Sequence, residues 1–329
     1  MLKAKITAVA YHAPERVVTN HDLEKILDTS DEWIRTRTGI RERHVVSKGE
    51  ATSDLAASAV CKLLRQANLP ASEIDCIIVA TVTPDMMFPS TACIVQHKIG
   101  AAQAWGFDLS GACAGFVFAL ATASMFVHSG TYRKVVVVGA DVMSSIINRH
   151  DRNTYVLFGD AAGAVLVEPA HAGEKGIIDF LLRCDGAGGK HLFMPGGGSL
   201  NPATRETVDK GMHYVHQDGR AVFKAAIPGM AEISAELLRR NGVPVNDVGL
   251  FVPHQANRRI IDAAVEKLGM DKSRVVVNID RYANTTAATI PIGLAEAYGE
   301  KKVRKGDLVL LATFGAGFTW GSLLFRWSF

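Results

Sequence analysis

Cysteine is scarce in this 329-residue chain: Cys61, Cys76, Cys93, Cys113 and Cys184 are odd in number, scattered and never spaced C-x-x-C. That pattern excludes a disulfide scaffold or a zinc ribbon, and predicts reduced thiols in a cytoplasmic protein. No His, Asp and Glu cluster stands at metal-ligand spacing, so no metal is expected. Basic runs are missing too. The formal charge is only +3 and no Lys/Arg stretch is interleaved with aromatics, which argues against a nucleic-acid partner. VVVVGAD is not followed by G-x-G-x-x-G, so the phosphate cradle of a nicotinamide site is absent. Met1 to Pro14 has only a short apolar piece broken by His12 and Pro14, and reads as a first strand and turn, not a signal peptide. One uncharged stretch, Leu109 to Val127, approaches the length of a membrane span. Its Ser/Gly/Cys start and the lack of a second such stretch predict a helix buried on all sides in a soluble core.

What the chain does have is apolar mass, 48% hydrophobic against 21% charged residues, enough for two domains or one large duplicated one. Asp28-Thr-Ser-Asp-Glu-Trp opens a helix, with Thr29 and Glu32 at capping-box spacing and Gly39 as its stop. Trp33 and Arg37 stand one turn apart on it, a flat aromatic beside a cation, suited to a nucleotide ring and its phosphates. Thr52 to Asn68 has an amphipathic helical pattern, Ile74 to Thr81 reads as a buried strand, and a helix starts at Ser90. Trp105 to Leu109 is expected to be a short buried strand, followed by a turn and an apolar helix from Ala114. KVVVVGA (Lys134 to Ala140) and FGDAAGAVLVE (Phe158 to Glu168) supply two more strands.

The second half repeats this plan. VGLFVP (Val248 to Pro253) matches the Ile74 strand, Arg274 to Ile279 reads as a strand before the Asn284 turn, and Thr285 to Tyr298 is a helix. DLVLLA (Asp307 to Ala312) matches KVVVVGA, and GAGFTWGSLLF matches FGDAAGAVLV. The chain thus reads as two copies of one α/β unit, residues 1–170 and 171–329. Between the matched parts, Asp185 to Gly219 is a Gly- and Pro-rich excursion of the kind that often contributes to a site.

Three residues concentrate the chemistry. Cys113 falls at the start of the apolar helix, where unpaired N–H groups and the macrodipole favour a thiolate, so the sulfur is expected to be a nucleophile near neutral pH. Gly111, Ala112, Ala114 and Gly115 leave room for a carbonyl to approach. Asn284 occupies the matching place in the second copy, and equivalent loops of a duplicated fold meet at the pseudo-twofold axis. His254 follows a buried strand directly, placed to face a cleft.

In context these residues resemble the β-ketoacyl-acyl-carrier-protein synthase III family of condensing enzymes. The likeness runs from DTSDEWIRTRTGI through the GAC cysteine, HQAN and YANTTAA to FGAGFTWGSLLFRW, essentially the whole chain. It implies a thiolase-like duplicated five-layered α-β-α-β-α sandwich, a homodimer, and an acyltransferase that uses acyl-coenzyme A and malonyl-acyl-carrier protein with no cofactor and no membrane. Cys113 would carry the acyl group, with the oxyanion on backbone N–H groups of Cys113 and Ala316 in the Gly315-Ala316-Gly317 turn. His254 and Asn284 would donate to the enolate left by decarboxylation. Trp33 and Arg152 would sandwich the adenine of coenzyme A, with Arg37 near its phosphates. Phe223 and Ala226 would line the pantetheine tunnel, and Arg259 would meet the acyl carrier protein's phosphopantetheine or acidic surface. Phe88 would reach across the dimer to bound the acyl pocket, an aromatic there being associated with short starters.

Ala161, Ala283 and Ala316 stand where the family usually has glycine. Arg149 stands where it more often has an aromatic or proline, and as an extra cation near the entrance it would favour an anionic acyl donor. Two other readings share features with this one. A specialised condensing enzyme, making a biotin precursor, a quinolone or another secondary metabolite, would carry the same motifs. A papain-like cysteine hydrolase also orders Cys, His and Asn along its chain, with a compatible Cys113–His254 interval, but its signature residues are replaced by Ser110 and Ala114 and it has no duplication.

Overall fold

A computed structural model describes residues 3–329. The first half runs β1 (Ala4–His12), α1 (Asp31–Thr38), α2 (Thr52–Ala67), β2 (Cys76–Ala80), α3 (Thr91–Lys98), β3 (Trp105–Leu109), α4 (Gly115–Ser129), β4 (Val135–Asp141) and β5 (Ala161–Pro169). The second runs β6 (Ile177–Cys184), α5 (Gly219–Arg240), β7 (Leu250–Pro253), α6 (Arg258–Leu268), α7 (Thr289–Gly299), β8 (Leu308–Gly315) and β9 (Thr319–Arg326). The strands form two sheets, β1-β5-β4-β2-β3 and β6-β9-β8-β7. In both sheets a parallel pair (β2 with β4, β7 with β8) is followed by two antiparallel pairings toward the β1 or β6 edge. The chain leaves the first sheet at Pro169 and enters the second at Ile177.

Burial orders these parts into five layers. Leu55, Val60 and Leu63 of α2 and Val95 of α3 cover one face of the first sheet, on Ile77, Val79, Val136 and Val138. Helices α4 and α7 lie between the two sheets, with Phe116, Leu120, Ile290 and Leu294 packed in one cluster with Val137, Val165, Leu311 and Phe325. Helices α5 and α6 cover the far face of the second sheet, where Met230, Leu237, Ile260 and Val265 meet Phe251, Leu308 and Leu310. The mostly apolar make-up of α4 and α7 follows from that middle position, and each fully buried Val or Leu contributes roughly 1.5–3 kcal/mol. Ala112–Ser129 is long and apolar enough to cross a membrane, but most of it is buried in this layer. The architecture is the duplicated α-β-α-β-α sandwich that the family resemblance implies, and its two halves are the α/β copies read from the repeats.

Local expectations fail at three places, each for a structural reason. The cap of α1 is Ser30, not Thr29: the Ser30 hydroxyl accepts from Trp33 N–H at 3.1 Å, and Glu24 accepts from Asp31 N–H at 2.6 Å. Trp105 to Leu109 is a strand but not a buried one, because β3 ends the sheet and leaves Trp105 42% exposed. Arg274 to Ile279 makes only a single bridge, Phe251 with Val275. Beyond it the Gln255 carboxamide takes the backbone partners, donating to Pro253 and Val276 carbonyls at 2.9 and 3.0 Å and accepting from Asn278 N–H at 3.2 Å. A side chain thereby replaces the ladder, and the segment turns into the short helix Ile279–Tyr282.

Candidate active site

Cys113 lies in the 3-10 turn Ala112–Ala114 that leads into α4, and is almost fully buried. Ala112 before it has φ 45°, a left-handed conformation that sharpens the turn from β3. The end of β8 crosses directly over the cysteine. Thr313 Oγ1 donates to the Cys113 carbonyl at 2.7 Å, and a Cβ on Gly315 would lie 2.9 Å from Cys113 N. Only glycine permits that approach. Ala316, next in the turn, lies outside the positive-φ region, so its methyl is tolerated.

His254 extends the β7–β8 pairing through its N–H to the Ala312 carbonyl at 2.8 Å. Its ring is buried, with Nδ1 2.7 Å from Thr289 Oγ1 and Nε2 without a hydrogen-bond partner among the described residues. Burial holds its pKa down at about 3, so the imidazole is neutral. Asn284 is fixed by exchanges with the segment before β5, its N–H on the Leu157 carbonyl at 2.9 Å and its carbonyl taking Gly159 N–H at 3.1 Å. Its side-chain oxygen accepts from Thr286 N–H at 2.9 Å, which turns the NH2 away from the backbone and leaves it without a protein partner among the described residues. Ala283 before it is at φ 56°, ψ −155°, a region that suits glycine.

Beneath the turn lies Asp141, the last residue of β4, buried and accepting from Thr81 Oγ1 (3.0 Å), Val82 N–H (2.8 Å), Thr83 Oγ1 (2.9 Å) and the Thr286 hydroxyl. It affects the cysteine. Burial, and then the Asp141 charge, push the Cys113 thiol up to about 12, against a smaller lowering by its own backbone N–H. The expected neutral-pH thiolate is therefore not the resting state: the apolar, enclosed position at the helix start disfavours the charge more than the helix end favours it. Iodoacetamide labelling of the Cys113 peptide is expected to accelerate about tenfold per pH unit through neutral and mildly alkaline pH, since thiolate is the reactive form and grows until the pKa is reached. A plateau near neutrality would mean that the thiolate is already formed.

Two spaces open on Cys113. The first is a cleft of about 350 Å³ lined by Cys113, His254 and Asn284 together with Trp33, Arg37, Phe223 and Arg259. The Arg37 and Arg152 guanidinium carbons lie 4.9 and 4.8 Å from the Trp33 ring centroid, and that of Arg259 lies 5.3 Å from Phe223. Arg152 itself does not line the cleft, and its guanidinium donates to the Asp28 carbonyl at 2.8 Å. Ala226 is 2% exposed and packs in the core around Val222 and Phe314, one layer behind the cleft wall. The second space, about 140 Å³, is an apolar chamber lined by Val82, Met143, Ile146, Phe193, Met194 and Val215 together with Ala112, Cys113 and Ala316. No charged side chain lines it.

Phe88 does not line this chamber within the chain. It is 84% exposed in the loop before α3. Arg149 is elsewhere too, lining a separate groove with Arg16, His150 and Tyr155, so the extra cation does not reach either space on Cys113. The sequence did not mark the chamber, although Leu192, Phe193, Met194 and Val215 are an apolar set in an otherwise polar, glycine-rich excursion. Nor did it mark the hydroxyls of Thr286 and Thr289, which fall at the start of the helix read from Thr285 to Tyr298. Among the described residues no group of three or more His, Cys, Asp and Glu is placed to hold a metal ion.

The chain is similar to known proteins over nearly its whole length. Residues 107–186 match the family model of 3-oxoacyl-[acyl-carrier-protein] synthase III, and residues 238–327 match that of its C-terminal part. The β-ketoacyl-[acyl-carrier-protein] synthase III of Koribacter versatilis is 54% identical over 99% of this chain and 98% of its own, and that of Solibacter usitatus 55% identical over the full length of both. The crystal structure of the Thermus thermophilus β-ketoacyl-[acyl-carrier-protein] synthase III superposes with a TM-score of 0.92 at 45% identity, covering 98% of this chain and 99% of that one. A duplicated sandwich has no place for a papain-like hydrolase, and identity above one half over nearly the whole length leaves one family: the chain belongs to the β-ketoacyl-acyl-carrier-protein synthase III family of thiolase-fold condensing enzymes.

Proposed function

We propose that this chain joins an acyl-coenzyme A starter to malonyl-acyl-carrier protein, with loss of carbon dioxide, to give the 3-oxoacyl-acyl-carrier protein that begins fatty-acid synthesis. The observation that carries this reading is the convergence on one cleft of a buried thiol, a neutral imidazole with an unpartnered Nε2 and a carboxamide whose NH2 is free. In the first half-reaction the Cys113 sulfur bonds to the thioester carbonyl and coenzyme A leaves as its thiol, taking the cysteine proton. Backbone N–H groups at Cys113 and Ala316 are in this reading the oxyanion donors. In the second, the malonyl C–C bond breaks, carbon dioxide departs, and the enolate oxygen is met by His254 Nε2–H and the Asn284 NH2. The carbanion then attacks acyl-Cys113, and the released thiolate takes up one proton. No step calls for a cofactor.

Trp33, Arg37 and Arg152 are proposed to bind the nucleotide end of coenzyme A, Phe223 to border its pantetheine arm with Ala226 shaping the wall from behind, and Arg259 to meet the carrier protein. The uncharged chamber beside Cys113 suits a short, neutral acyl chain. We read residues 1–170 and 171–329 as the two copies, one bearing the nucleophile and the other the donors, in a cytoplasmic homodimer. The open β3 edge with exposed Trp105, Met125, Met87 and Phe88 supports a second copy covering that side. Phe88 would then complete the partner's acyl pocket.

Intact mass after mixing with a panel of acyl-coenzyme A donors, without malonyl substrate, tests the reading. The wild type is expected to gain one acetyl or short branched acyl group, and Cys113→Ser none. A gain only with long or carboxylated donors would move the enzyme to a specialised pathway, and no gain with any donor would remove the acyl-enzyme.

A further inference from the structure

We infer that Thr289 is a positioning residue for the condensation: its hydroxyl donates to His254 Nδ1 and so keeps the single imidazole proton on Nε2, facing the cleft. This deepens the proposed function and rests on it, since the enolate needs a donor at Nε2. A neutral imidazole carries one N–H, and its other nitrogen must accept. Burial keeps this ring neutral, so the choice of nitrogen decides whether His254 can donate into the cleft at all.

The choice is made at Nδ1. Its one partner is Thr289 Oγ1, at 2.7 Å. That hydroxyl has a single proton and two acceptors in reach, Nδ1 and, at 3.1 Å, the Thr286 carbonyl. The carbonyl is already served, because Thr289's own backbone N–H donates to it. A carbonyl can accept twice, but this one keeps its N–H bond when the hydroxyl proton turns to the shorter contact at Nδ1, and with Nδ1 accepting, the ring proton sits on Nε2. The opposite arrangement would send the hydroxyl to a carbonyl that does not need it and leave a bare Nε2 lone pair toward an enolate, which is repulsive. The same turn treats Asn284 alike: Thr286 N–H occupies the carboxamide oxygen and leaves the NH2 as donor, while the Thr286 hydroxyl is tied to Asp141. One turn thus sets the hydrogen-bond polarity of both groups.

The test combines a direct readout of the ring with a split of the two half-reactions. In protein with 15N-labelled histidine, the ring nitrogens of wild-type His254, assigned by their loss in His254→Ala, are expected to show the proton on Nε2. Thr289→Val keeps shape and removes the donor. It is expected to acylate Cys113 at the wild-type rate, to shift the His254 proton toward Nδ1, and to lose malonyl decarboxylation by roughly 10- to 100-fold. Thr289→Ser, which retains the hydroxyl, is expected to restore both signals to near wild type. A proton on Nδ1 in the wild type, or undiminished decarboxylation in a folded Thr289→Val, overturns the assignment. Should wild-type enzyme fail to decarboxylate malonyl-carrier protein, the proposed function fails, while the nitrogen spectrum still decides the tautomer on its own.

Discussion

His254→Ala and Asn284→Ala are each expected to lose decarboxylation of malonyl-acyl-carrier protein by about 100- to 1,000-fold, the usual effect of removing one oxyanion donor, while Cys113 still takes an acyl group. The two half-reactions separate because the side chains serve different charges. In the proposed mechanism acyl transfer places its oxyanion on backbone N–H groups, which neither substitution touches. Decarboxylation develops charge on the malonyl thioester oxygen, in a buried site where an absent donor is not replaced cheaply by water. Asn284→Asp is expected to be worse than Asn284→Ala, since a carboxylate there repels the enolate. Removing both donors should cost less than the product of the single losses, because they act on one oxygen. Carbon dioxide release from malonyl-carrier protein, beside the mass of the acyl-enzyme, measures each half. The pH profile gives a second check. With its pKa held near 3, His254 is neutral throughout the range in which an ordinary imidazole titrates, so decarboxylation should show no step near the usual histidine value. Normal carbon dioxide release by either alanine variant would refute the donor roles.

Gly139→Ala is expected to destabilise the fold by roughly 2–3 kcal/mol and to lower condensation with it. Gly139 lies in β4, and a Cβ there would stand 2.3 Å from the Ala287 carbonyl oxygen and 2.7 Å from its carbon. Those are backbone atoms of the turn Thr286–Ala288, which has no flexible end to move aside. The turn must lift off the strand, and it carries Asn284 on one side and Thr289 on the other. Asp141, two residues along the same strand, ties Thr286 down, so the displacement strains that buried hydrogen bond as well. Denaturant unfolding compares this variant with Gly198→Ala, where nothing lies within 4 Å and little change is expected. Equal stability of the two variants would mean that the turn is not held where the structure has it.

Much of the fold could be read in the sequence because a duplicated α/β unit repeats its local signals. KVVVVGA and DLVLLA are buried strands in both copies, and the helices that follow Cys113 and Asn284 are mostly apolar since both occupy the middle layer. The misreadings share a cause: they depend on partners far along the chain. Trp105 to Leu109 looks like any buried strand, and only the sheet order makes it an edge. Arg274 to Ile279 carries strand-forming residues, but the Gln255 side chain takes their backbone groups. The catalytic candidates were legible as types in their contexts, whereas the Cys113 protonation state was not, because burial and Asp141 outweigh the helix start that the local sequence shows. Thr289 was invisible for the same reason, and the excursion from Asp185 to Gly219 was marked as a contributor to the site without showing that Leu192, Phe193, Met194 and Val215 line a chamber beside the cysteine. Each is defined by which distant atoms it meets.

The middle layer has a consequence for the birth of the chain. Helix α4 is covered on one side by strands made soon around it, β2, β4 and β5, but its other side meets β9, whose last residue is Arg326. The closing residues also reach back to the beginning: Trp327 shares a core cluster with Ala4 and Ile6, and the Ser328 hydroxyl donates to the Ile6 carbonyl. At roughly 5–20 residues per second on the ribosome, the most apolar helix waits on the order of ten to forty seconds for its second cover. During that interval the nascent chain presents a greasy helix that resembles a membrane segment, which makes it a natural client for a chaperone that binds exposed apolar stretches, and makes translation speed a determinant of soluble yield.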